Sequence, residues 1–322
     1  MRKLLTYLLF FLFFTSCALF ILSLLPGSFR EGKVIVLQKG SLLEVAADLE
    51  QAGLIKSKYL FFPNAKCFNF FSKLKAGEYK FPARSSILDI ILIMQKGEYV
   101  KRFITIPEGL TTSQIIELVN KNEYLSGRIN SIAYQEGSLL PDTYMFTYAE
   151  DRAKLLNRMK EAMHKALDAV WETRDKTLPF TNKKELLVLA SIVEEEAKLD
   201  EERPQIARVF INRLNKKMKL DADPTTIYAI TSGKYVLQRP LNKSDLKFIS
   251  LFNTYVTSGL PPAPISNPGI KSIMAVAHPV TSDALYFVVK DCKGRHNFSN
   301  NIKDHNINVG RYKKLVCNLG ST

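Results

Sequence analysis

The sequence predicts an α+β protein in three parts: an N-terminal apolar helix, a small α+β unit and a larger helix-rich α+β unit. An uncharged stretch dominates the first 30 residues. Short β-branched runs then alternate with capped helical patterns over residues 31–106, and long helical patterns dominate residues 107–322. The composition of 46% hydrophobic and 24% charged residues excludes an intrinsically disordered or collagen-like protein. We therefore expect two globular units behind one apolar helix.

The first part begins with two cations and continues as an apolar run. After Arg2 and Lys3, residues 4–25 contain no charged side chain, and Pro26-Gly27 ends the run. A helix of that length spans about 33 Å, close to the ~30 Å hydrocarbon core of a bilayer. The two cations favour a cytoplasmic N-terminus. We expect an uncleaved, single-pass membrane anchor that leaves everything after Arg30 on the exported side.

Two other kinds of leader compete with the anchor. A cleavable signal peptide has an apolar region of about 7–15 residues and an Ala-x-Ala-like site, whereas this run is longer and has no clean site. A lipoprotein signal places a cysteine after small residues, and Phe14-Thr-Ser-Cys17 is a poor version of it in the middle of the run. The anchor fits the pattern best.

The interpretation of the net charge and of the cysteines depends on the compartment. The formal net charge is +14, which in a cytosolic protein would indicate a nucleic-acid partner. On the exported side of a bilayer it favours anionic lipid headgroups or an acidic cell-wall polymer, and we expect no nucleic acid. Cys67, Cys292 and Cys317 lie on that side, and an odd number cannot all pair within the chain. We expect thiols without a role.

The small unit begins with a strand and a helix. Residues 34–37 form a β-branched run, and Ser41 and Glu44 have the spacing of a capping box before a helix that ends near Gly53. An aromatic-rich stretch follows over residues 59–71.

A second strand–helix pair completes the unit. Residues 77–81 predict a strand, Ser86 and Asp89 repeat the capping spacing, and Gly97 ends the helix. Residues 99–106 alternate as a strand. Two such pairs make a compact module rather than an enzyme core.

The larger unit is mostly helical by pattern. Its predicted helices cover residues 112–121, 151–173, 183–197, 203–217 and 301–315. A stretch from Ser232 to Pro268 contains five prolines and predicts a loop. Loops of this length are uncommon in compact domains unless they build a site. Residues 283–289 predict a strand.

The helix over 183–197 ends in three consecutive acids. At about 100° per residue its apolar side chains form one stripe, made of Leu186, Leu189, Ala190, Val193 and Ala197. Glu195 lies opposite this stripe and is expected to be solvated, while Glu194 and Glu196 lie on its two borders. Glu196 follows Ile192 and Val193, and such desolvation raises a carboxyl pKa and suits a general acid. The alternative is a solvated helix end with no chemical role.

Other catalytic patterns are missing from the sequence. The four histidines are His164, His278, His296 and His305, and no pair has the spacing of a helical zinc site. We expect no metal and no cofactor. There is no Gly-x-Ser-x-Gly elbow, and Ser191 lies inside the glutamate helix, so we expect no serine nucleophile.

Two further segments predict a turn and a loop near a site. Residues 221–228 predict a turn into a helix, with Asp223 as its N-cap and Pro224 in its first turn. Residues 253–255 and 259–268 form a proline-rich loop with aromatic neighbours. Such loops line carbohydrate grooves, where amides and aromatic faces hold sugar rings, and they also serve as plain connectors.

Eight segments in a fixed order resemble one known family. They are Ala190–Glu196, Val209–Leu214, Asp223–Tyr228, Asn253–Tyr255, Gly259–Pro262, Ala277–Pro279, Gly294–Phe298 and His305-Asn306. Together they resemble the YceG-like endolytic murein transglycosylases, and residues 136–146 extend the likeness. Each motif is weak alone, but eight in order are specific.

The resemblance implies a single-pass protein of the inner (cytoplasmic) membrane with a periplasmic or extracytoplasmic catalytic domain. Residues 1–30 would be the anchor, 31–106 a LysM-like module and 107–322 the YceG-like catalytic domain. Members of the family cleave nascent peptidoglycan strands internally, between N-acetylmuramic acid and N-acetylglucosamine, and leave a 1,6-anhydromuramyl end. The partners implied are glycan strands, the membrane and peptidoglycan synthases.

The resemblance also assigns residues. The family's catalytic glutamate is the second acid of a Glu-x-Glu pair, which falls on Glu196, and Glu195 stands where a lysine is common. The expected glycan contacts are Glu194, Asp223, Tyr228, Asn253, Tyr255, Asn267 and His296. Glu196 would protonate the glycosidic oxygen and then take the proton of the muramic C6 hydroxyl, so that no second carboxylate is needed.

Two other functions remain open from the sequence. A muramidase that hydrolyses with water would need a second carboxylate, Asp223 or Glu194, across the cleft from Glu196. A non-catalytic wall-binding scaffold of the elongation machinery would not need Glu196 at all.

Overall fold

The computed structural model describes residues 2–38, 40–67 and 76–319. The described chain is α+β, with eleven α-helices and eight short strands. It divides into two compact units. The first comprises the residues up to Phe103 together with Met145–Glu150, and the second comprises Ile104–Tyr144 and the residues from Asp151 onward. The boundary between the units falls within β3 (Arg102–Thr105), β5 (Thr143–Phe146) and β6 (Glu150–Asp151).

The N-terminal apolar helix is present as α1 (Arg2–Leu24). Within it, Thr6–Leu24 has a mean hydropathy of 2.3, and among the described residues this is the one helix long and apolar enough to cross a membrane. A run of about 19 helical residues spans ~29 Å, the thickness of a bilayer core.

The first unit contains the two predicted strand–helix pairs and one further helix. Its elements are β1 (Lys33–Leu37), α2 (Leu42–Gln51), α3 (Lys58–Cys67), β2 (Gly77–Phe81) and α4 (Ile87–Lys96). The strands β1 and β2 pair antiparallel, with Ile35 opposite Tyr79. Both predicted capping boxes form, at Ser41 with Glu44 and at Ser86 with Asp89. Each box satisfies backbone donors that a helix start would otherwise leave unpaired.

Two sequence predictions for this unit need correction. The aromatic stretch contains α3, which no pattern predicted because Pro63 lies inside the helix. Residues 68–71 of the stretch lie outside the described residues. The strand expected over 99–106 is shorter, since only Arg102–Thr105 forms it and Tyr99 makes an isolated bridge to Tyr79.

The second unit holds most of the helices. Its elements are α5 (Thr112–Lys121), β4 (Leu125–Ser126), α6 (Arg152–Thr173), α7 (Lys183–Glu196), α8 (Arg203–Asn215), α9 (Asp223–Thr231), α10 (Ile270–Ala277), β7 (Tyr286–Val289), β8 (His296–Ser299) and α11 (Ile302–Leu319). The strands β7 and β8 pair antiparallel. The pattern missed α10 and β8, which are short, and it ended α11 four residues early.

The core of the second unit surrounds α7. Helices α6, α8, α9 and α10 all pack against it, and every residue from Leu186 to Glu194 is buried. The five residues of the expected apolar stripe are buried and Glu195 opposite them is exposed. The expectation of one solvated face fails in the middle of the helix, where Val188, Ser191 and Ile192 are also buried. A helix enclosed on all sides carries its polar side chains into the interior, where they need partners.

The long loop follows α9. Between Ser232 and Pro268 the only helical turn is a 3₁₀ turn at Asp245–Lys247. The N-cap of α9 is Ala222, and Asp223 is the first helical residue rather than the expected cap. Asp223 consequently keeps its side chain free of a capping bond.

Candidate active site

Glu196 is the last residue of α7 and lines a cleft of about 390 Å³. The charged and polar side chains around it include Arg213, Asp221, Asp223, Tyr255 and His305. Burial, the largest cause, and the negative charges of Asp223 and Glu195 together raise the pKa of Glu196 to about 8, against a lowering effect of Arg213. Glu196 therefore holds a proton at neutral pH, which is the state that a general acid needs.

The long loop is attached to α7 one turn before Glu196. The hydroxyl of Ser191 accepts a hydrogen bond from the backbone N–H of Ile265 at 3.0 Å and donates to the carbonyl of Val188 at 2.7 Å. Ser266 donates to the carbonyl of Ser191 at 3.3 Å. These bonds fix the loop against the helix that presents the acid.

Glu194 is buried, and its two carboxylate oxygens are occupied by protein groups. One oxygen accepts from Arg203 at 2.9 Å, and the other accepts from the backbone N–H of Gly269 at 2.9 Å. Arg203 also donates to Asp200 at 3.0 Å and to Ser272. The expected contact of Glu194 with a glycan is revised, because an ion-paired interior carboxylate positions the end of α7 and offers nothing to a ligand.

Glu195 faces a second cleft, of about 310 Å³. Its side chain is exposed there, yet the surrounding protein excludes enough water to raise its pKa to about 7, and Glu194 and Glu136 add like charge. The expected exposure of Glu195 is confirmed, whereas its raised pKa was not expected. Gly109 sits against this carboxyl with φ +79°, and a Cβ at Gly109 would lie 2.8 Å from the Oε1 atom of Glu195.

Asp223 and Tyr255 lie together in the cleft of Glu196. The phenol of Tyr255 donates to the Oδ1 atom of Asp223 at 2.7 Å, and this partner together with burial raises the pKa of Tyr255. Asp223 itself is exposed to the cleft. Both residues are therefore where a ligand beside Glu196 could touch them.

Arg213 is a residue of this cleft that sequence reasoning missed. Its guanidinium donates to the carbonyls of Leu285 and Leu220, both at 2.7 Å, and lies 3.5 Å from Asp221. A cation here limits the rise in the pKa of Glu196. The sequence offered one signal for it, namely an arginine among the mainly apolar residues of the segment Val209–Leu214.

Asn253 is fully buried and shapes the long loop. Its amide nitrogen donates to the carbonyls of Leu246 and Phe248, and its oxygen accepts from the hydroxyl of Thr226 at 2.9 Å and the N–H of Tyr255 at 3.0 Å. Every polar atom of the side chain is satisfied inside the protein. The expected glycan contact is revised to a positioning role for Tyr255.

Asn267 is also fully buried, and it joins the loop to the start of the second unit. Its oxygen accepts from the N–H of Leu139, and its nitrogen donates to the carbonyl of Leu110, the hydroxyl of Thr112 and the carboxylate of Glu136. Its distances to these partners are 2.9–3.1 Å. The expected glycan contact is again revised to a positioning role.

Tyr228 lines the second cleft together with Glu195. Its phenol donates to Glu136 at 3.3 Å, and its ring packs on Phe252 with centroids 4.9 Å apart. Burial raises the pKa of Glu136, whose other oxygen accepts from the backbone N–H of Thr112 at 2.7 Å. Sequence reasoning missed Glu136, although it begins the segment 136–146.

Two of the three histidines in the matched segments, His296 and His305, differ in their surroundings. His296 is paired through Nδ1 with Glu202 at 2.6 Å and packs edge-on against Phe287. His305 lines the cleft of Glu196 and stacks on Tyr286, and its Nδ1 atom is buried without a hydrogen-bond partner in the described part of the chain. Burial lowers the pKa of His305, so its ring is neutral near pH 7.

The structure thus brings Glu196, Asp223 and Tyr255 into one cleft and places Glu195 and Tyr228 in another. Among the described residues, no group of three His, Cys, Asp or Glu side chains is arranged to hold a metal ion. Cys292 is an exposed free thiol, and the side chains of Cys67 and Cys317 lie outside the described residues. The chemistry that the geometry offers is proton donation by the partly buried carboxyl group of Glu196 beside the exposed side chain of Asp223.

Comparison with known proteins agrees with the motif order. A sequence model of the YceG-like family matches residues 34–311. A protein named endolytic murein transglycosylase from Streptococcus pneumoniae serotype 2 (strain D39) is 30% identical over 344 residues, which cover 92% of this chain and 61% of the relative. A protein of the same name from Bacillus subtilis (strain 168) is 41% identical over 173 residues, which cover 53% of this chain and 46% of the relative.

A solved structure is similar as well. The crystal structure of a yceG-like protein from Listeria monocytogenes superposes with a TM-score of 0.54 at 28% identity, covering 86% of this chain and 99% of that chain. The chain spans about three fifths of the length of the pneumococcal relative.

Proposed function

The chain belongs to the YceG-like family, and on that premise we propose that it is an endolytic lytic transglycosylase of peptidoglycan. Its substrate would be nascent glycan strands, cut between N-acetylmuramic acid and N-acetylglucosamine to leave a 1,6-anhydromuramyl end. Such a cut terminates the elongation of a strand. Relatives that bear the name endolytic murein transglycosylase support the reaction class.

One observation carries this proposal. Glu196 is a carboxyl group whose pKa is raised to about 8, at the wall of a cleft, beside the exposed carboxylate of Asp223. A glycosidic oxygen needs a proton when its bond breaks, and a carboxyl group that is neutral at pH 7 can supply one.

The reaction uses Glu196 twice. Glu196 donates its proton to the glycosidic oxygen, the bond to the muramic anomeric carbon breaks, and the bonding electrons leave with the N-acetylglucosamine oxygen. The carboxylate of Glu196 then takes the proton of the muramic C6 hydroxyl as that oxygen bonds to the anomeric carbon. The acid is regenerated, and no water is consumed.

The neighbouring side chains have separate roles in this proposal. Asp223 places negative charge near the developing oxocarbenium ion, and the bond from Tyr255 holds Asp223 in place. Tyr228 and Glu195 would contact the strand in the second cleft. His296, paired with Glu202, would contact it only through ring edges. Glu194, Asn253 and Asn267 position these groups from the interior.

The remaining parts of the chain complete the proposal. Residues 1–30 anchor it in the cytoplasmic membrane with the N-terminus inside, because α1 has the length and hydropathy of a membrane span. Residues 31–106 form a LysM-like module that binds glycan, and residues 107–322 form the catalytic domain. Peptidoglycan synthases are the proposed partners, since they produce the strands that this reaction ends.

Hydrolysis by water is the second candidate, and one observation favours it. Asp223 is an exposed carboxylate in the same cleft as Glu196, as a glycosidase with two carboxylates requires. The products distinguish the two reactions, because hydrolysis adds one water to the new end and the transglycosylase reaction does not.

The test is mass spectrometry of purified glycan strands after digestion by the full-length chain in detergent. We expect products lighter by one water than the hydrolysed strands. Glu196→Gln should abolish them, while the matched control Glu201→Gln, at an exposed glutamate outside both clefts, should leave them unchanged. Reducing ends would support the hydrolase. Equal cleavage by wild type and Glu196→Gln would overturn the role of Glu196, and no cleavage by wild type would favour a scaffold.

A further inference from the structure

The long loop after α9 presents large apolar side chains to solvent. Phe248, Ile249 and Leu251 are 45%, 88% and 69% exposed, and we call these three residues the apolar tip. Three exposed large apolar side chains within four residues of one loop make this segment a candidate interaction surface.

Hydrogen bonds hold the apolar tip in its exposed position. The buried amide of Asn253 donates to the carbonyl of Phe248 at 2.8 Å, and the hydroxyl of Thr257 donates to the carbonyl of Ser250 at 3.2 Å. The next residue, Phe252, turns inward and packs on Tyr228. The backbone is thus fixed so that the ring of Phe252 is partly buried and its three apolar neighbours face outward.

The segment that carries the tip has a positive net charge. Lys234, Lys243 and Lys247 are exposed, and in the described part of the chain none of them is ion-paired. The one acid of residues 232–258, Asp245, is already bound by Arg239 at 2.6 Å. Exposed apolar side chains and uncompensated lysines in one segment are the composition of surfaces that bind the interface of an anionic bilayer.

We propose that the apolar tip inserts into the headgroup region of an anionic lipid bilayer, with the three lysines on the lipid phosphates. The proposal rests on the membrane anchoring proposed above, since the same chain carries the apolar helix Thr6–Leu24. A lipid surface fits better than a protein groove, because the lysines add electrostatic attraction to an unshaped apolar surface without the need for matched partners.

This contact would orient the catalytic unit. The segment that carries the tip also contributes Tyr255 to the cleft of Glu196 and Tyr235 to the cleft of Glu195. Insertion of the tip would therefore keep both clefts at the bilayer surface, where a strand that is still attached to a lipid begins.

Tryptophan fluorescence tests the insertion directly. The full-length chain has one tryptophan, Trp171, whose emission serves as a common background. Ile249→Trp and the control Ile132→Trp, at a residue of the same unit that is 91% exposed, are reconstituted in phosphatidylglycerol vesicles with brominated acyl chains. We expect roughly two-fold stronger quenching for Ile249→Trp than for the control, and a smaller difference when Lys243 and Lys247 are both changed to Gln.

Equal quenching of the two tryptophans would overturn the proposal. A blue-shifted Ile249→Trp emission without quenching would overturn it too, because the tip would then be covered by protein. Flotation of the protein with the same vesicles after carbonate washing measures separately whether the N-terminal helix anchors the chain in the membrane. Cleavage of soluble strands by Ile249→Asp, compared with wild type, reports the proposed activity separately, and we expect it to be unchanged.

Discussion

The phenol of Tyr255 donates a 2.7 Å hydrogen bond to the carboxylate of Asp223. Asp223 is, after burial itself, the largest contributor to the raised pKa of Glu196. A residue of the long loop thus holds the charge that keeps the acid at the end of α7 protonated. The two acids of the cleft act as a pair, in which the ionised state of one favours the neutral state of the other.

Asp223→Asn should move the high-pH limb of the activity profile to lower pH. A general acid works only while protonated, so activity falls as the pH rises through the pKa of Glu196, which is about 8. Loss of the negative charge at Asp223 lowers that pKa. The measurement is kcat/KM against pH with purified strands.

The matched comparison for this shift is Glu195→Gln. Glu195 also raises the pKa of Glu196, but less than Asp223 does, so its removal should produce a smaller displacement in the same direction. An unshifted limb in Asp223→Asn, with only the maximal rate reduced, would contradict the electrostatic coupling.

Glu196→Gln should stabilise the protein above neutral pH. The folded state holds a proton on Glu196 up to a pKa of about 8, whereas the ordinary value is 4.5. Ionisation of Glu196 therefore disfavours the folded state. The stability that its neutral carboxyl group contributes is fully present below pH 4.5 and is lost as the pH rises through 8. At pH 9 we expect Glu196→Gln to gain on the order of 2 kcal/mol, or about 5 °C in melting temperature.

The control for this prediction is the pH dependence itself. At pH 4 the melting temperatures of wild type and Glu196→Gln should converge, because both side chains are then neutral. An equal difference at pH 4 and pH 9 would show that packing and not ionisation separates the two proteins.

Arg203→Met should destabilise the second unit strongly. The change leaves Glu194 buried without its cation, and breaking such a pair from one side costs about 3–5 kcal/mol. The double variant Glu194→Met/Arg203→Met should recover part of the loss, because no uncompensated charge remains. Thermal melting of the four proteins in the cycle measures the coupling, and strictly additive losses would exclude it.

Asn267→Asp should be less stable than Asn267→Ala at pH 8. The aspartate would place a negative oxygen against the carbonyl of Leu110 and the carboxylate of Glu136, where the amide nitrogen now donates. At pH 5 protonation of the introduced aspartate should reduce the difference in melting temperature between the two variants. A raised KM with unchanged melting temperatures would instead support direct glycan contact by Asn267.

Local signals predicted much of the fold. The capping boxes at Ser41 and Ser86, the αL glycine Gly97 and the bounds of α5 follow from interactions within four or five residues, and all of them form. Glu196 was identified as the candidate acid from its branched apolar neighbours on α7, and it lies at the wall of a cleft.

The failures concern partners that are distant in sequence. Glu194 is paired with Arg203 from the next helix, and Asn267 bonds to Leu110, so no nearby residue indicates that either side chain is buried. A helical wheel assumes one solvated face, and α7 has none over most of its length because four helices enclose it. Residue type indicated polar function at these positions but did not distinguish a ligand contact from an internal one.

The hydrogen bonds of Asn267 also determine how late in synthesis the long loop can be attached to the start of the second unit. Its amide joins Leu110 and Thr112, 157 and 155 positions earlier in the chain. Synthesis from the N-terminus adds Glu196 well before residue 267, and until residue 267 is added the loop lacks its attachment to Leu110 and Thr112. A prematurely terminated chain that ends before Asn267 never forms this attachment.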